Sequence, residues 1–131
     1  MNWKFSNDKP IYIQLVDGIE LKIISGEYVQ GSKILSIREM ATEVGVNPNT
    51  VQKALAELER KNLIVTNRTN GKFITEDGNL IEEIRTSQAT KTIKALCNTI
   101  RMLGYTKEET LQIIKNTIDG DLDTWKEGDK Q

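Results

Sequence analysis

Two amide side chains and one ammonium group occur within five residues of one another, at Asn49, Gln52 and Lys53. Amides can form paired hydrogen bonds with the edge of adenine, and lysine can donate to guanine, so this set could read bases in the DNA major groove. Thr50 lies among them and is suited to a phosphate contact. A solvated helix face is the alternative for any one of them alone. Their clustering at a helix start, where exposed N–H groups attract phosphate, favours DNA contact.

The stretch that carries these residues contains two helix starts separated by a glycine. Ser36 and Glu39 form the reciprocal capping pair S-x-x-E, which predicts the start of a first helix. Gly45 ends it, since glycine adopts the left-handed conformation cheaply. Asn47 followed by Pro48 then predicts a second helix. Two short helices joined by so tight a turn are typical of the helix-turn-helix, whose second helix enters the major groove.

Apolar residues recur three or four positions apart in both helices, which predicts that their inner faces are buried together. These residues are Ile37, Met40, Ala41 and Val44 in the first helix and Val51, Ala54, Leu55 and Leu58 in the second.

A β-hairpin is predicted directly after the second helix. Strands of about residues 64–67 and 72–75 flank the hairpin signal Asn70-Gly71 and would form a two-stranded wing. Arg68 and Lys72 lie on either side of its tip, where a wing usually meets the DNA backbone or minor groove. A merely solubilising charged hairpin is the alternative. The residues predicted from their types and positions to contact DNA are Asn49, Thr50, Gln52, Lys53, Arg68 and Lys72.

The residues before this region predict a polar arm and one more helix. The arm, residues 1–9, would pack through Trp3 and Phe5, and the helix would run from Pro10 to Gly26. Tyr12 falls on the apolar stripe of that helix and is interpreted as a core residue. A loop with a brief strand at residues 33–35 should follow.

The C-terminal part predicts two amphipathic helices. Asn79, with Glu82 three residues later, should cap a long helix that runs to Gly104 and that could bend in its polar middle, residues 86–91. The pair Thr106 and Glu109 should open a last helix that ends near Gly120. The acidic tail, residues 121–131, could dock through Leu122 and Trp125.

Such a helical hairpin buries its apolar stripes poorly on its own, so we expect it to pack against a second copy of the chain. The predicted dimerisation residues are Ile84, Ile93, Leu96, Ile100, Leu103, Leu111 and Ile114.

Composition limits the possible classes of protein. The 131 residues fit one small domain with an appendage, and no apolar run or N-terminal segment resembles a membrane span or signal peptide. The chain has one cysteine, Cys97, and no histidine, so we expect a cytoplasmic protein without a metal site, cofactor or catalytic activity. The net charge of −1 is segregated: residues 33–75 carry +3 and residues 76–131 carry −3. This distribution suits DNA binding through the middle of the chain.

An ordered set of residues resembles the GntR family of transcriptional regulators over about half the chain, from Pro10 to Ile74. The residues that carry the resemblance are Pro10-Ile11-Tyr12, Gln14-Leu15, Gly26, Gly31, Ser36-x-Arg38-Glu39-x-Ala41, Gly45-Val46-Asn47-Pro48-Asn49-Thr50-Val51, Ala54-Leu55-x-x-Leu58-Glu59, Leu63-Ile64 and Gly71-x-Phe73-Ile74. The short C-terminal part is similar to that of the YtrA-like subfamily.

The resemblance implies a fold and a function. The fold would be mainly α with a small β-hairpin: a winged helix-turn-helix in residues 1–76, then a C-terminal helical hairpin for dimerisation with an acidic tail in residues 77–131. The function would be that of a homodimeric repressor on a pseudo-palindromic operator of double-stranded DNA. Members of the subfamily often repress operons for ABC-type exporters or cell-envelope stress. Arg38 matches a family arginine that contacts DNA. With this residue, the predicted DNA-binding set is Ser36, Arg38, Asn49, Thr50, Gln52, Lys53, Arg68, Gly71 and Lys72.

The chain also departs from the family pattern. Pro48 and Gln52 stand where many members have arginine, so base reading should rest on Asn49, Gln52 and Lys53. Thr69 replaces the first of two wing-tip glycines, and the proline usual before Ser36 is absent. A winged-helix protein–protein adaptor is the alternative function. The sequence leaves open whether a small effector binds between the C-terminal helices.

Overall fold

The computed structural model describes residues 3–121, and these form five helices and one two-stranded antiparallel sheet. In chain order the elements are α1 (Ile11–Ile24), α2 (Ile37–Val44), α3 (Pro48–Arg60), β1 (Ile64–Asn67), β2 (Gly71–Ile74), α4 (Gly78–Met102) and α5 (Lys107–Asp121). The predicted fold class is confirmed: a winged helix-turn-helix made of α1 to β2 is followed by a helical C-terminal region. The chain divides into two compact units between Thr86 and Ser87, a point within α4.

The core of the first unit lies between α1, α2, α3 and the sheet. The four apolar residues predicted to line α3 are confirmed as buried, with no more than 1% of any of them exposed: Val51, Ala54, Leu55 and Leu58. They pack with Leu15, Ile19 and Ile23 of α1 and with Met40 and Ala41 of α2. Because burial of each valine or leucine side chain stabilises the fold by roughly 1.5–3 kcal/mol, this face of α3 is fixed inward. Its opposite face is thereby held outward.

Local capping sets where α2 and α3 begin, as predicted. The Ser36 hydroxyl oxygen accepts from the Glu39 backbone N–H at 3.1 Å, and the Glu39 carboxylate accepts from the Ser36 N–H at 3.1 Å. Gly45 ends α2 with φ +83°. The Asn47 side-chain oxygen then accepts from the Asn49 N–H at 2.7 Å at the start of α3, so only three residues separate α2 from α3.

The predicted hairpin is present, with a turn built differently from expectation. Ile64 pairs with Ile74 and Asn67 with Gly71, so β2 begins one residue earlier than predicted and three residues form the turn. The Asn67 side-chain oxygen accepts from the Thr69 N–H at 3.0 Å, which stabilises that turn. The brief strand expected at residues 33–35 is a single bridge between Lys33 and Phe73.

The N-terminal arm packs through its rings, as predicted. Trp3 and Phe5 lie against the core with ring centroids 6.1 Å apart. The Gln14 side chain holds the segment that follows, because its carbonyl oxygen accepts from the Ser6 N–H at 2.9 Å and its amide donates to the Lys9 carbonyl at 2.8 Å. These contacts fix the approach to the first turn of α1.

The start of α4 corrects one sequence prediction. Its cap is Asp77, whose carboxylate accepts from the Leu80 N–H at 3.1 Å, and not Asn79, which already lies inside the helix. The Thr75 hydroxyl accepts from the Asp77 N–H at 3.0 Å, so the end of the wing holds the capping residue in place. The helix runs without interruption through residues 86–91. Its first two turns pack Leu80, Ile81 and Ile84 against the core of the first unit.

The second unit consists of the rest of α4 and α5. The predicted capping pair of α5 is confirmed, with Thr106 and Glu109 exchanging hydrogen bonds of 2.9 and 3.1 Å. Among residues 87–120 no side chain is buried. No helix within the described part of the chain is long and apolar enough to cross a membrane.

Candidate nucleic-acid interface

The first turns of α3 present the residues predicted to read bases. Asn49, Gln52 and Lys53 are all exposed, and none of their side chains forms a hydrogen bond or ion pair with a residue that the structure describes. Thr50 is half-buried beside them. Pro48 occupies the first helical position and has no N–H. Asn47 accepts from the Asn49 N–H through its side chain at 2.7 Å and from the Thr50 N–H through its carbonyl oxygen at 2.9 Å, so these N–H groups of the first turn already have partners. The start of α3 still attracts anions through the helix dipole.

The ammonium of Lys53 has one close neighbour on another helix. It lies 4.0 Å from the centroid of the Tyr12 ring, in the first turn of α1. A shallow depression of about 370 Å³ between these two helices is lined by Ile11, Tyr12, Asn49, Thr50 and Lys53. The first turn of α1 therefore borders the exposed face of α3.

The start of α2 presents Arg38. Its side chain is exposed and has no hydrogen-bond or ion-pair partner in the part of the chain that the structure describes. Ser36, two residues earlier, is occupied by the capping box. The pKa of Glu39 is lowered, first because its carboxylate accepts the Ser36 backbone N–H and next because of its hydrogen bond with the Ser36 side chain. Glu39 is thus held as a carboxylate by the helix start and leaves Arg38 unpaired.

An open groove of about 850 Å³ separates the start of α2 from the wing tip. Three cations, Lys33, Arg38 and Lys72, are among its lining residues. Lys33 lies in the basic middle of the sequence but is not among the predicted DNA-binding residues. In the folded chain, the bridge between Lys33 and Phe73 places Lys33 beside the wing. The Glu39 carboxylate also lines the groove, so the three cations leave a surplus of positive charge that favours an anionic partner.

The wing tip places two predicted residues in different roles. Arg68 is exposed in the turn. Gly71 has φ +101°, and a Cβ added to it would lie 3.1 Å from Cε of Lys33. The backbone conformation favours glycine there, whereas the flexible end of the Lys33 side chain could shift by the few tenths of an ångström that a Cβ would need.

Lys72 lies between the wing and α3. Its ammonium is 3.3 Å from a carboxylate oxygen of Glu59 and 2.9 Å from the Thr66 hydroxyl, and 24% of the side chain is exposed. Lys72 is thus paired within the protein, whereas Arg38 and Lys53 have no ion-pair partner in the described range, residues 3–121. Its predicted contact with DNA stays a prediction.

The predicted dimerisation residues fall into two groups. Ile84 packs against the core of the first unit. The others lie in the second unit, where Ile100 and Ile114 are half-buried and Leu103, Leu111 and Ile93 are 67%, 61% and 56% exposed. Leu96 is also exposed, and Cys97 beside it is half-buried. The apolar stripes predicted from the spacing are therefore left mostly uncovered in the single chain.

Comparison with known proteins identifies the family. Residues 11–74 match the model of the bacterial regulatory proteins of the gntR family. Over 120 residues the chain is 36% identical to the HTH-type transcriptional regulator YhcF of Bacillus subtilis, covering 92% of this chain and 99% of that protein. The chain belongs to the GntR family. It is a transcriptional regulator with a winged-helix DNA-binding domain.

Further relatives agree with this assignment to the GntR family. The HTH-type transcriptional repressor YtrA of Bacillus subtilis is 33% identical over 121 residues, which is 92% of each chain. A GntR family transcriptional regulator from Listeria monocytogenes superposes with a TM-score of 0.79 at 40% identity, covering 86% of this chain and 98% of that one. The crystal structure of AraR(DBD) in complex with operator ORX1 superposes with a TM-score of 0.50 at 25% identity over 57% of this chain and 92% of that one.

Proposed function

We propose that this GntR regulator is a repressor that binds a pseudo-palindromic DNA operator as a homodimer. The observation that carries the proposal is the exposed start of α3, where the side chains of Asn49, Gln52 and Lys53 have no hydrogen-bond or ion-pair partner among residues 3–121. The same holds for Arg38 at the start of α2. An exposed guanidinium or ammonium without an internal partner is free to exchange its hydration for contacts with DNA.

Base reading is assigned to α3. Asn49 or Gln52 would pair with adenine, and Lys53 would donate to guanine, because these are the edges that amide and ammonium groups match in the major groove. The buried face of α3 fixes the helix so that these side chains project together. The AraR(DBD) structure, whose fold this chain shares, was solved in complex with an operator, which supports DNA as a partner of this fold.

Backbone contacts are assigned to the groove between α2 and the wing. Arg38 and Lys33 would bind phosphates from one side, and Arg68 from the wing tip, with Ser36, Thr50, Gly71 and Lys72 as further predicted contacts. Such charges supply affinity without sequence preference, and each one that neutralises a phosphate steepens the salt dependence of binding.

Dimerisation is assigned to the second unit. Leu103, Leu111 and Ile93 are more than half exposed, and apolar side chains left exposed in one helical region favour an interface there. A second copy is the occupant that covers the same stripe on both chains at once. The proposed functional division lies after residue 76, directly after the wing, although the first two turns of α4 pack with the DNA-binding unit.

The repressor role rests on the likeness to YtrA over 92% of both chains, since that relative is named as a repressor. Control of a transporter operon rests on the subfamily resemblance alone. The subfamily resemblance does not indicate whether a small effector binds at the dimer interface.

DNA binding measured by fluorescence anisotropy across a salt titration tests the function. The proposal expects a preferred sequence and a steep fall in affinity with salt, together with dimers in sedimentation. A protein that binds every duplex weakly and equally would instead be a winged-helix adaptor for other proteins.

A further inference from the structure

We propose that Tyr12 is a specificity-determining positioning residue, which aims the ammonium of Lys53 at the base edge that Lys53 reads. This inference rests on the proposed function, in which Lys53 contacts a base. From its spacing alone, Tyr12 is interpreted as a core residue. In the structure its ring also contacts the Lys53 ammonium, on the side of α1 that borders the start of α3.

The ring is anchored and the lysine is not. Tyr12 is half-buried and packs against the core of the first unit, so its position follows from the packing of α1 on α3. Lys53 is exposed, and its ammonium lies 4.0 Å from the Tyr12 ring centroid. No hydrogen bond or ion pair ties that ammonium to any of residues 3–121. The face of the ring is thus the contact that selects where the ammonium sits.

An aromatic face suits this task better than a carboxylate. Its negative quadrupole attracts a cation without accepting a proton or cancelling the charge. Lysine has three N–H donors on a flexible stem, so one can face the ring while others remain free to donate to guanine. Lys72 shows the contrast, because Glu59 neutralises it at 3.3 Å. Lys53 therefore keeps its full charge and its donors while it loses conformational freedom before DNA arrives.

The surroundings agree with a role at the DNA interface. The depression that contains Tyr12 is bordered by Asn49 and Thr50, which are predicted DNA contacts, and by the exposed Ile11. The Tyr12 ring and the start of α3 therefore form one surface. Core packing alone does not require the face of the ring to lie against a lysine on that surface.

The test is a double-mutant cycle on duplexes that carry the sequence enriched by the wild-type protein from a random pool. Tyr12→Leu, Lys53→Ala and the double variant are measured against that duplex and against its single-base-pair variants. We expect Tyr12→Leu to lower the preference at the base pair read by Lys53 by about two- to fivefold. It should have no further effect in the Lys53→Ala background. Tyr12→Phe, which keeps the ring face, should retain the wild-type preference.

Outcomes separate this inference from the proposed function. If Lys53→Ala leaves the preference at every base pair unchanged, the base-reading role fails and the inference fails with it. If Lys53→Ala relaxes one position but Tyr12→Leu does not, only the inference is overturned. Equal weakening on all sequences by Tyr12→Leu, or additive effects in the double variant, would also overturn it. Should Tyr12→Leu lower the thermal midpoint, Tyr12→Met fills the same space without a ring and takes its place.

Discussion

The ammonium of Lys72 in β2 lies 3.3 Å from a carboxylate oxygen of Glu59 in α3, so an ion pair ties the wing to the helix that is proposed to read bases. Both side chains are partly exposed, and such pairs contribute at most about 1 kcal/mol to folding. The pair matters more for DNA. A phosphate that approaches Lys72 must compete with Glu59 for it.

Glu59→Gln should strengthen DNA binding modestly and steepen its salt dependence, because it releases the Lys72 ammonium to a phosphate. The matched control is Glu57→Gln, which removes the same charge from the same helix but from a pair with Arg60. Affinity is measured by anisotropy at several salt concentrations. Equal effects of the two substitutions would mean that only net charge governs the affinity for DNA. Lys72 would then only link the wing to α3 and would not bind a phosphate.

Arg38→Ala should weaken binding by roughly tenfold or more, the value of a hydrogen bond made by a charged group. It should leave the thermal midpoint unchanged, because the exposed Arg38 side chain has no partner in the described part of the chain. Arg60→Ala, at the far end of α3, serves as the control for loss of one arginine. Normal operator binding by Arg38→Ala throughout a salt titration would exclude its predicted role.

Gln52→Ala should relax base preference by ~1–3 kcal/mol at one base pair in each half-site. The measurement compares the preferred duplex with its single-base-pair variants. Gln112→Ala, an exposed glutamine in α5, is the control and should change nothing. A uniform loss across all duplexes would assign Gln52 to the DNA backbone.

Leu111→Lys should shift the protein from dimer to monomer in sedimentation equilibrium, because it places a charge in the proposed apolar interface. Leu111 is 61% exposed in the single chain, so the fold of the protomer should tolerate the change. Gln112→Lys adds the same charge at the neighbouring position and should leave the dimer intact. Unaltered dimers in Leu111→Lys would place the interface elsewhere.

The capping box at the start of α2 should make stability depend on pH. The pKa of Glu39 is lowered from its ordinary 4.5 by its hydrogen bonds with Ser36. A carboxylate with a lowered pKa in the folded state stabilises the fold above pH 4.5, and this contribution is lost as pH falls through the lowered value. Thermal midpoints measured from neutral to acidic pH should therefore fall less steeply in Glu39→Gln than in the wild type. Parallel curves would contradict this.

The fold was largely predictable because its signals are local. The pairs Ser36–Glu39 and Thr106–Glu109 each join residues three apart, and the apolar face of α3 is a repeat within one helix. Such patterns act through the nearest turn of backbone, so they survive whatever the rest of the chain does.

The parts that could not be predicted join residues distant in sequence or depend on competition between neighbours. Asp77 and not Asn79 caps α4, because the Thr75 hydroxyl at the end of the wing holds Asp77 in place. The contacts of Lys53 with Tyr12 and of Lys72 with Glu59 require the packing of α3 on α1 and on the sheet. The spacing of the sequence predicts that both lysines lie near DNA, but it does not predict which of them forms an ion pair within the protein.

Selection of bound DNA from a random pool tests the central claim most directly, that two copies of α3 read one operator. The predicted result is an enriched sequence with two inverted copies of one half-site, their centres about one helical turn (~10 bp) or a small multiple apart. Enrichment of a single half-site without a partner, or no enrichment above the starting pool, would contradict the account.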